Sequence, residues 1–304
     1  MAKTYNELYL DMRRRLREGG IEDPSLEARR LLAMAAECSD TELISRFFLY
    51  APDRCERASR ELTSRRLRSE PLAYIAGEWE FYGEKILVNP SVLIPRMDTE
   101  VLVDKALELL KHSSEPRILD LCCGSGCIGV ALASRRPNAR IIFADISPDA
   151  LSVARKNVAL HRLGTRSVVL RADALAAPPL RMENFDMLVC NPPYIRTAEI
   201  EGLDASVKDW EPRLALDGGA DGLEFYRSVL RNWKSVLTDN GIAIFEVGEG
   251  QAATVLSLLD ANGFSDTGTA LDTIGVERVV YGRKKQQNES YDRRRNEFRK
   301  RLNE

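Results

Sequence analysis

The sequence predicts an α/β fold: a parallel, doubly wound sheet in the later part of the chain, preceded by a helical N-terminal domain. Three observations predict it. From Glu115 onward, short apolar runs alternate with stretches of helical spacing, as repeated βα units with helices on both faces require. The first apolar run, 117–121, leads straight into a glycine-bearing turn and another helical stretch. Before residue 70, by contrast, apolar residues recur only at helical spacing. The chain has 304 residues, 44% hydrophobic and 30% charged, enough to bury two compact cores and too apolar for wholesale disorder.

Tyr5, Leu8, Tyr9, Met12 and Leu16 share one helix face, and Gly19-Gly20 is a natural stop. Asp23-Pro24 supplies an N-cap and a first-turn proline for a second helix, whose apolar stripe is Leu31, Leu32, Ala35 and Ala36. Asp40 is placed to cap a short third helix through Phe48. An arginine-rich fourth runs over 52–68, with Pro71 just past its end. Residues 71–97 change character, and their aromatics, glycines and short alternating runs predict a β-hairpin and connector. A helix follows over 98–110. The spacing then predicts strand 117–121, helix 127–135, strand 141–145, helix 148–161, strands 168–171, 187–190 and 242–247, helix 251–261 and a last strand over 276–281. The stretch 196–222, long and irregular, with Asp217, Gly218 and Gly219, reads as a substrate-covering lid. The division expected is 1–70 helical domain, 71–97 hairpin linker, 98–282 α/β domain and 283–304 a charged, flexible tail.

Charge narrows the partners. Lys and Arg number 44 against 46 Asp and Glu, a net charge of −2. Residues 1–70 carry 14 basic and 13 acidic side chains, so their arginines read as a solvated face. This argues against direct, sequence-specific nucleic acid binding through an overall field. The tail 283–304 is locally basic, with nine basic and four acidic side chains. Glu7 and Asp11 stand where a signal peptide needs an apolar run, and no stretch approaches the ~18 apolar residues of a membrane span. Six cysteines do not make a disulfide scaffold in a chain of this length. The expectation is a cytoplasmic protein with reduced thiols and no membrane partner. Cys122, Cys123, Cys127 and Cys190 could meet where strands end. With only His112 and His161 to assist, they read as small buried residues and no metal is expected.

The turn after strand 117–121 is Cys122-Cys123-Gly124-Ser125-Gly126, in which Gly124 and Gly126 allow a tight bend and close approach to a ligand. It lacks the third glycine of a dinucleotide fingerprint. Its form, D-L-C-C-G-S-G, resembles the first motif of the class I methyltransferases that use S-adenosylmethionine; in that reading the loop lies under the methionine part. Asp145, ending the second strand, can accept hydrogen bonds from both ribose hydroxyls, the logic that puts an acid on a dinucleotide ribose. Asp173, after the third strand, sits where this class often has an adenine-contacting acid, although an ordinary turn role stays open. Ala174 follows it beside the adenine pocket.

Asn191-Pro192-Pro193-Tyr194 directly follows strand 187–190 and lies 67 positions after Gly124, at the edge of the same crevice. Asn191 therefore counts with the cofactor residues as well as the catalytic ones. A planar nitrogen shares its lone pair and is a poor nucleophile, so its two N–H groups must be held and its face aimed at an activated methyl. The Asn191 side-chain oxygen and the Pro192 carbonyl can accept one N–H each. The two prolines stiffen the loop, and Tyr194 can pack on the planar group. No general base is required before transfer.

With these motifs the sequence resembles the bacterial peptide chain release factor glutamine methyltransferases, the PrmC/HemK family, over roughly residues 5–282. The carrying segments are PLAYIAGEWEFYG (71–83), VLIPRMDTE (92–100), ILDLCCGSGCIGVALA (118–133), NPPYI (191–195) and EPRLALDGGADGLEFYR (211–227), of which the first, second and last are the most specific. The resemblance implies an N-terminal helical, substrate-docking domain, a β-hairpin linker, and a Rossmann-like class I methyltransferase domain. Its sheet is seven-stranded and mostly parallel, with the last strand antiparallel. It implies methyl transfer from S-adenosylmethionine, leaving S-adenosylhomocysteine, to the side-chain amide nitrogen of the Gly-Gly-Gln glutamine in class 1 release factors. Cys122 through Gly126 then lie under the cofactor, Asp145 takes the ribose, Ala174 flanks adenine, and Asn191 through Tyr194 hold the glutamine. Three features depart from the pattern: Met97 replaces the second proline of I-P-R-P-D-T-E, Cys122-Cys123 replace a glycine-threonine pair, and the charged tail is an extension. Adenine N6-methylation also uses such a loop, but would want a basic channel. The motifs are also compatible with a methyl-donor-binding adaptor without activity, which the intact Asn191–Tyr194 loop argues against, and with a glutamine methyltransferase of a ribosomal protein.

Overall fold

Capping chemistry sets the first helices. Helix α1 (Tyr5–Glu18) opens with a capping box, in which the Thr4 hydroxyl accepts from the Glu7 N–H and the Glu7 carboxylate accepts from the Thr4 N–H. Asp23 caps α2 (Pro24–Ala35), with Pro24 at its first position. Helix α3 (Asp40–Ser45) differs from expectation twice: it stops at Ser45 instead of Phe48, and its cap is Ser39, because Ser39 and Glu42 form a second reciprocal box that Asp40 cannot supply. Helix α4 (Asp53–Leu67) joins α2 through a two-pronged Arg66–Glu27 pair at 2.6 and 3.2 Å. A short helix, α5 (Leu72–Ala76), lies within the expected connector and ends at Gly77 in the left-handed region. Leu16, Leu31, Leu32 and Leu43 are fully buried among these helices.

The structure, a computed structural model, describes residues 3–179 and 182–286. The described chain falls into two units. One runs to Trp79 and takes in Leu87–Ile94 and Glu201–Pro212; the other comprises Glu80–Ile86, Pro95–Ile200 and the chain from Arg213 on. The expected hairpin is present as β1 (Glu78–Phe81) and β2 (Glu84–Leu87), joined at Tyr82-Gly83, both with positive φ as a tight two-residue turn requires.

In the second unit a 3-10 turn, Met97–Thr99, leads into α6 (Glu100–Leu109). There follow β3 (Arg117–Leu121), α7 (Cys127–Arg135), β4 (Arg140–Asp145), α8 (Pro148–Leu160), β5 (Ser167–Arg171) and β6 (Phe185–Cys190). Helix α9 (Ala205–Lys208) belongs to the first unit, and α10 (Glu224–Asn232), β7 (Leu237–Glu246), α11 (Ala252–Ala261), β8 (Phe264–Leu271) and β9 (Glu277–Lys284) complete the second. The seven strands lie in the order β5-β4-β3-β6-β7-β9-β8. All neighbours from β5 to β7 are parallel, and β9 runs antiparallel to both β7 and β8, so the last strand alone is reversed. This is the sheet the resemblance implies. Fully buried Phe143, Phe185, Phe245, Tyr226 and Trp233 fill its faces, each worth about 1.5–3 kcal/mol of burial.

Several elements differ from what the residue spacing predicts. Strand β8 is one: it pairs with one neighbour only, buries little beyond Phe264, and is interrupted by Gly268 and a register shift. Helix α10 is another, although Tyr226, Val229, Leu230 and Trp233 recur at helical spacing and are buried. The stretch 196–222 is less irregular than expected, with a 3-10 turn at Thr197–Gly202, α9 and another turn at Arg213–Ala215. Strand β9 continues through Lys284, and the Lys285 N–H donates to Gly263 O at 3.1 Å, so the first residues of the expected tail are part of the sheet. The rest of that tail, 287–304, lies outside the described residues. Among the described residues no helix is long and apolar enough to cross a membrane.

Candidate active site

The chain reverses its direction across the sheet at β3, which has β4 on one side and β6 on the other. A crevice outside the carboxyl ends of the strands is expected at such a point. The register sets the strand ends side by side: Leu121 pairs with Ala144 and Cys190, and Cys190 with Phe245. Asp145, the Cys122–Gly126 loop, Asn191 and Glu246 therefore leave four adjacent strands at one rim.

The loop after β3 is built from left-handed backbone. Cys122 has φ +60°, Gly124 +53° and Gly126 +80°. For Cys122, which carries a side chain, that conformation costs about 1 kcal/mol. At Gly126, a Cβ would also approach the Phe143 ring to 3.2 Å. At Gly124 it would meet nothing within 4 Å, so this turn of the loop faces open space. Asp145 holds the loop: its Oδ2 accepts from the Gly124 N–H and its Oδ1 from the Ser147 N–H, both at 2.9 Å. Burial raises the Asp145 pKa, against the pull of those N–H groups and that of Ile146.

Beneath the loop lies Asp120, which is fully buried. Its Oδ2 accepts from the Gly129 N–H at 2.9 Å, while Oδ1 and the buried Ser125 Oγ have no partner among the described residues. Burial pushes the Asp120 carboxyl up to about 7, with the neighbouring Asp145 adding to the shift. Buried Cys123, Cys127 and Cys190 have their thiol pKa values raised by burial, Cys127 to about 12, which keeps them neutral. Among the described residues no group of three or more His, Cys, Asp or Glu is arranged to hold a metal ion. The open glycine turn, the half-buried Asp145 and the orphaned polar atoms of Asp120 and Ser125 fit a small polar cofactor over this loop.

Asp173 follows β5, whose Arg171 pairs in register with Asp145. The Asp173 Oδ1 accepts from the Leu175 N–H at 2.8 Å, an Asx turn, which is the ordinary turn role left open by the sequence. Ala174 is buried, and its carbonyl accepts from the Ser228 hydroxyl of α10 at 2.9 Å.

Asn191 directs its Nδ2 to Thr99 Oγ1 at 3.4 Å. Pro192 and Pro193 are buried, and the Tyr194 hydroxyl donates to Glu246 Oε1 at 3.4 Å. The Tyr194 main chain is gripped as well. Gln251 Nε2 donates to Tyr194 O at 2.9 Å, and the Gln251 carbonyl accepts from the Gly248 N–H at 3.0 Å. The segment from Arg213 on lies along the other edge of the loop. Ile195 N–H donates to Leu216 O at 3.0 Å, Gly218 N–H to Ile195 O at 2.8 Å, and Thr197 N–H to Gly219 O at 3.0 Å. A Cβ on Gly218 would fall 2.7 Å from Tyr194 Cα, so only glycine allows this approach. Thr197 Oγ1 and the Gly219 N–H both donate to Asp217 Oδ1, which closes the turn.

Thus Cys122–Gly126, Asp145 and Asn191–Tyr194 follow adjacent strand ends, and Asp173, after the next strand, makes an Asx turn. Thr99, Glu246 and Gln251 join the site without having been predicted from sequence, and Gly218 joins it from the stretch read as a lid. Thr99 and Gly218 lie inside the segments that carry the resemblance, so a signal existed; Glu246 ends an apolar strand, where a buried acid is itself unusual.

Comparisons with known proteins find matches to both parts of the chain. A family profile described as PrmC N-terminal domain matches residues 7–77, and one described as Methyltransferase small domain matches residues 98–206. A "Release factor glutamine methyltransferase" of Geobacter sulfurreducens is 42% identical over 268 residues, 88% of this chain and 92% of that protein. A protein of the same description from Caulobacter vibrioides is 37% identical, covering 93% of this chain and 97% of its own. Among solved structures, the catalytic domain of hMettl16 superimposes with a TM-score of 0.56 at 17% identity, over 75% of this chain and 83% of that one. That likeness concerns the fold.

Proposed function

The chain belongs to the release factor glutamine methyltransferase family, and from that premise we propose which of its residues perform the transfer and on what substrate. The activity is S-adenosylmethionine-dependent methylation of a release factor glutamine. The substrate proposed is the glutamine of the Gly-Gly-Gln motif in class 1 release factors.

The observation that supports the residue assignment is the adjacency of two loops on neighbouring strand ends, one open and glycine-bearing after β3, one proline-stiffened after β6. Cys122–Gly126 and Asp145 would hold the cofactor, with Asp145 as acceptor for its ribose hydroxyls and Ala174 beside its adenine. When bound, S-adenosylmethionine supplies a methyl group already activated on a sulfonium. What remains for the protein is orientation.

Asn191 Oδ1 and the Pro192 carbonyl each accept one N–H of the substrate amide, which aims the face of its nitrogen along the crevice. Buried Pro192 and Pro193 keep these acceptors from turning away, and Gln251 and Gly218 hold the following main chain. The amide proton becomes acidic only as the nitrogen is alkylated, so no base is needed beforehand. Two acceptors facing a substrate carboxylate would leave every one of those groups unpaired. Rejection of glutamate in place of glutamine therefore follows from the same geometry.

The test is incubation with labelled methyl donor and, in parallel, a Gly-Gly-Gln release factor, its Gln→Glu variant, a ribosomal protein and duplex DNA. Label confined to the first, with mass spectrometry locating it on the motif glutamine, is the expected result. Label on another residue or another substrate overturns the substrate assignment.

A further inference from the structure

The Glu246 carboxyl takes no part in the steps above, yet both ends of the Asn191–Tyr194 loop lead to it. Tyr194 donates its hydroxyl proton to Glu246 Oε1 at 3.4 Å. Asn191 donates through Nδ2 to Thr99 Oγ1 at 3.4 Å, and the Thr99 hydroxyl in turn favours the charged form of Glu246. Glu246 and Thr99 are both buried, and Glu246 Oε2 has no hydrogen-bond partner among the described residues. A buried carboxyl with a bare oxygen destabilises the fold, so its place at the rim calls for a physical account.

Hydrogen-bond polarity supplies one. A carboxylate only accepts. A hydroxyl beside it turns its single proton toward the anion and keeps only lone pairs for its other neighbour. Thr99 can then only accept from Asn191, so Asn191 must present its nitrogen to Thr99 and turn its oxygen the other way. We propose that Thr99 and Glu246 are positioning residues that fix the Asn191 side-chain amide with its oxygen, not its nitrogen, toward the amide to be methylated. The proposal rests on the reading that this loop holds the substrate glutamine. A flipped Asn191 would set N–H against N–H and repel the substrate.

Thr99 is itself held in place. It ends the Met97–Thr99 turn, and Asp98 of that turn pairs with Arg278 at 3.5 Å. Arg278 also pairs with Asp272 at 3.0 Å, and Asp272 Oδ1 accepts the N–H groups of Ile274 and Val276. The turn is thus pinned from the start of β9.

The groups facing Glu246 are Arg278 of β9, Asp98 and Thr99 of the turn, Tyr194 of the loop, Tyr226 of α10 and Cys127 of α7. Burial outweighs the favourable ones and pushes the carboxyl up to about 7. Below that pH Glu246 is protonated, Thr99 loses its acceptor-only neighbour, and the ordering of Asn191 relaxes.

The experiment compares single-turnover methylation of a Gly-Gly-Gln release factor from pH 6 to 8.5 by the unmodified protein, Thr99→Val and Thr99→Ser, with cofactor affinity and melting temperature on the same preparations. Thr99→Val should be about 10–100-fold slower, with cofactor affinity within about threefold, and Thr99→Ser should recover to within about threefold of the unmodified rate. The unmodified rate should rise through pH 7, and Thr99→Val should lose that rise. A Thr99→Val rate within about twofold of the unmodified one, or an unchanged pH profile, overturns the proposal while the functional reading stands. An unmodified protein that leaves the glutamine unmethylated overturns both.

Discussion

Replacing Gly218 by alanine should slow methyl transfer while sparing the cofactor site. The added Cβ would lie 2.7 Å from Tyr194 Cα, 2.8 Å from Pro193 O and 2.9 Å from Tyr194 C. All three are main-chain atoms, so no change of rotamer relieves the overlap. Carbon contacts settle near 3.5–4.0 Å, so the two segments must part by roughly 1 Å. That movement strains the Gly218–Ile195 and Ile195–Leu216 hydrogen bonds, now 2.8 and 3.0 Å. Overpacking of this kind costs about 1–3 kcal/mol, and the loosened hydrogen bonds add about 1 kcal/mol. For a unit of this size the melting temperature should fall by roughly 4–16 °C. The rate should suffer more, because about 1 Å of misplacement can slow an oriented reaction ~10²-fold.

The assay is single-turnover methylation at saturating cofactor, with affinity by calorimetry and melting on the same samples. Cofactor affinity should stay within about threefold, since the Cys122–Gly126 loop leaves a different strand. Gly164→Ala is the matched control, because a Cβ there meets nothing within 4 Å. If Gly218→Ala turns over and melts like the control, the segment from Arg213 does not support the loop as described.

Asp145→Ala removes the acceptor that holds Gly124 and Ser147 and would receive the ribose, and calorimetry should show a loss of about 1.5–3 kcal/mol in cofactor binding. Asn191→Ala should lower the single-turnover rate about 10²–10³-fold with cofactor affinity changed only a few-fold; a near-normal rate in the folded fraction would end its catalytic assignment. Asp120 titrates at about 7 in the fold, above its ordinary value of 3.8, so the folded state holds that proton more tightly than the unfolded one. Stability is then fully present below about pH 4 and falls as pH rises to 7, by about 4 kcal/mol from this group, with Glu246 acting in the same direction. Asp120→Asn should flatten that decline in denaturant titrations from pH 5 to 8, and a slope equal to that of the unmodified protein would contradict the assignment.

What the sequence shows most clearly is chemistry confined to a few consecutive residues. Gly124, Gly126, Asp145 and Asn191–Tyr194 each sit at the end of an apolar strand, and a strand end is legible from the run that precedes it. Partners supplied from far along the chain are not. Glu246 lies 52 positions after Tyr194 and Thr99 lies 92 before Asn191; the sheet order brings Glu246 to the rim, and the Asp98–Arg278 pair pins the turn that carries Thr99. Strand β8 is illegible for a different reason: an edge strand with one buried end lacks the apolar run that marks the interior strands. Asp173 is a mixed case: its Oδ1 accepts from the Leu175 N–H, the turn role the sequence left open beside a ligand role.

The same sheet carries many chemistries, so the strand ends alone do not choose the acceptor. On the proposed reading the choice falls to what steadies the Asn191–Tyr194 loop, and two of the segments that carry the resemblance supply those contacts. The segment 92–100 contains Thr99, which receives the Asn191 amide, and Asp98, which pins the turn to Arg278. The segment 211–227 contains Gly218, whose missing side chain lets the backbone lie against Pro193 and Tyr194, and Tyr226, whose hydroxyl donates to the Glu246 carbonyl at 2.9 Å. Neither segment need touch the reacting atoms. Each restricts the Asn191–Tyr194 loop, whose task on the proposed reading is to hold two acceptors still so that a planar nitrogen faces the methyl donor. Thr99, Gly218 and Gln251 thus remove freedom from the Asn191–Tyr194 tetrapeptide.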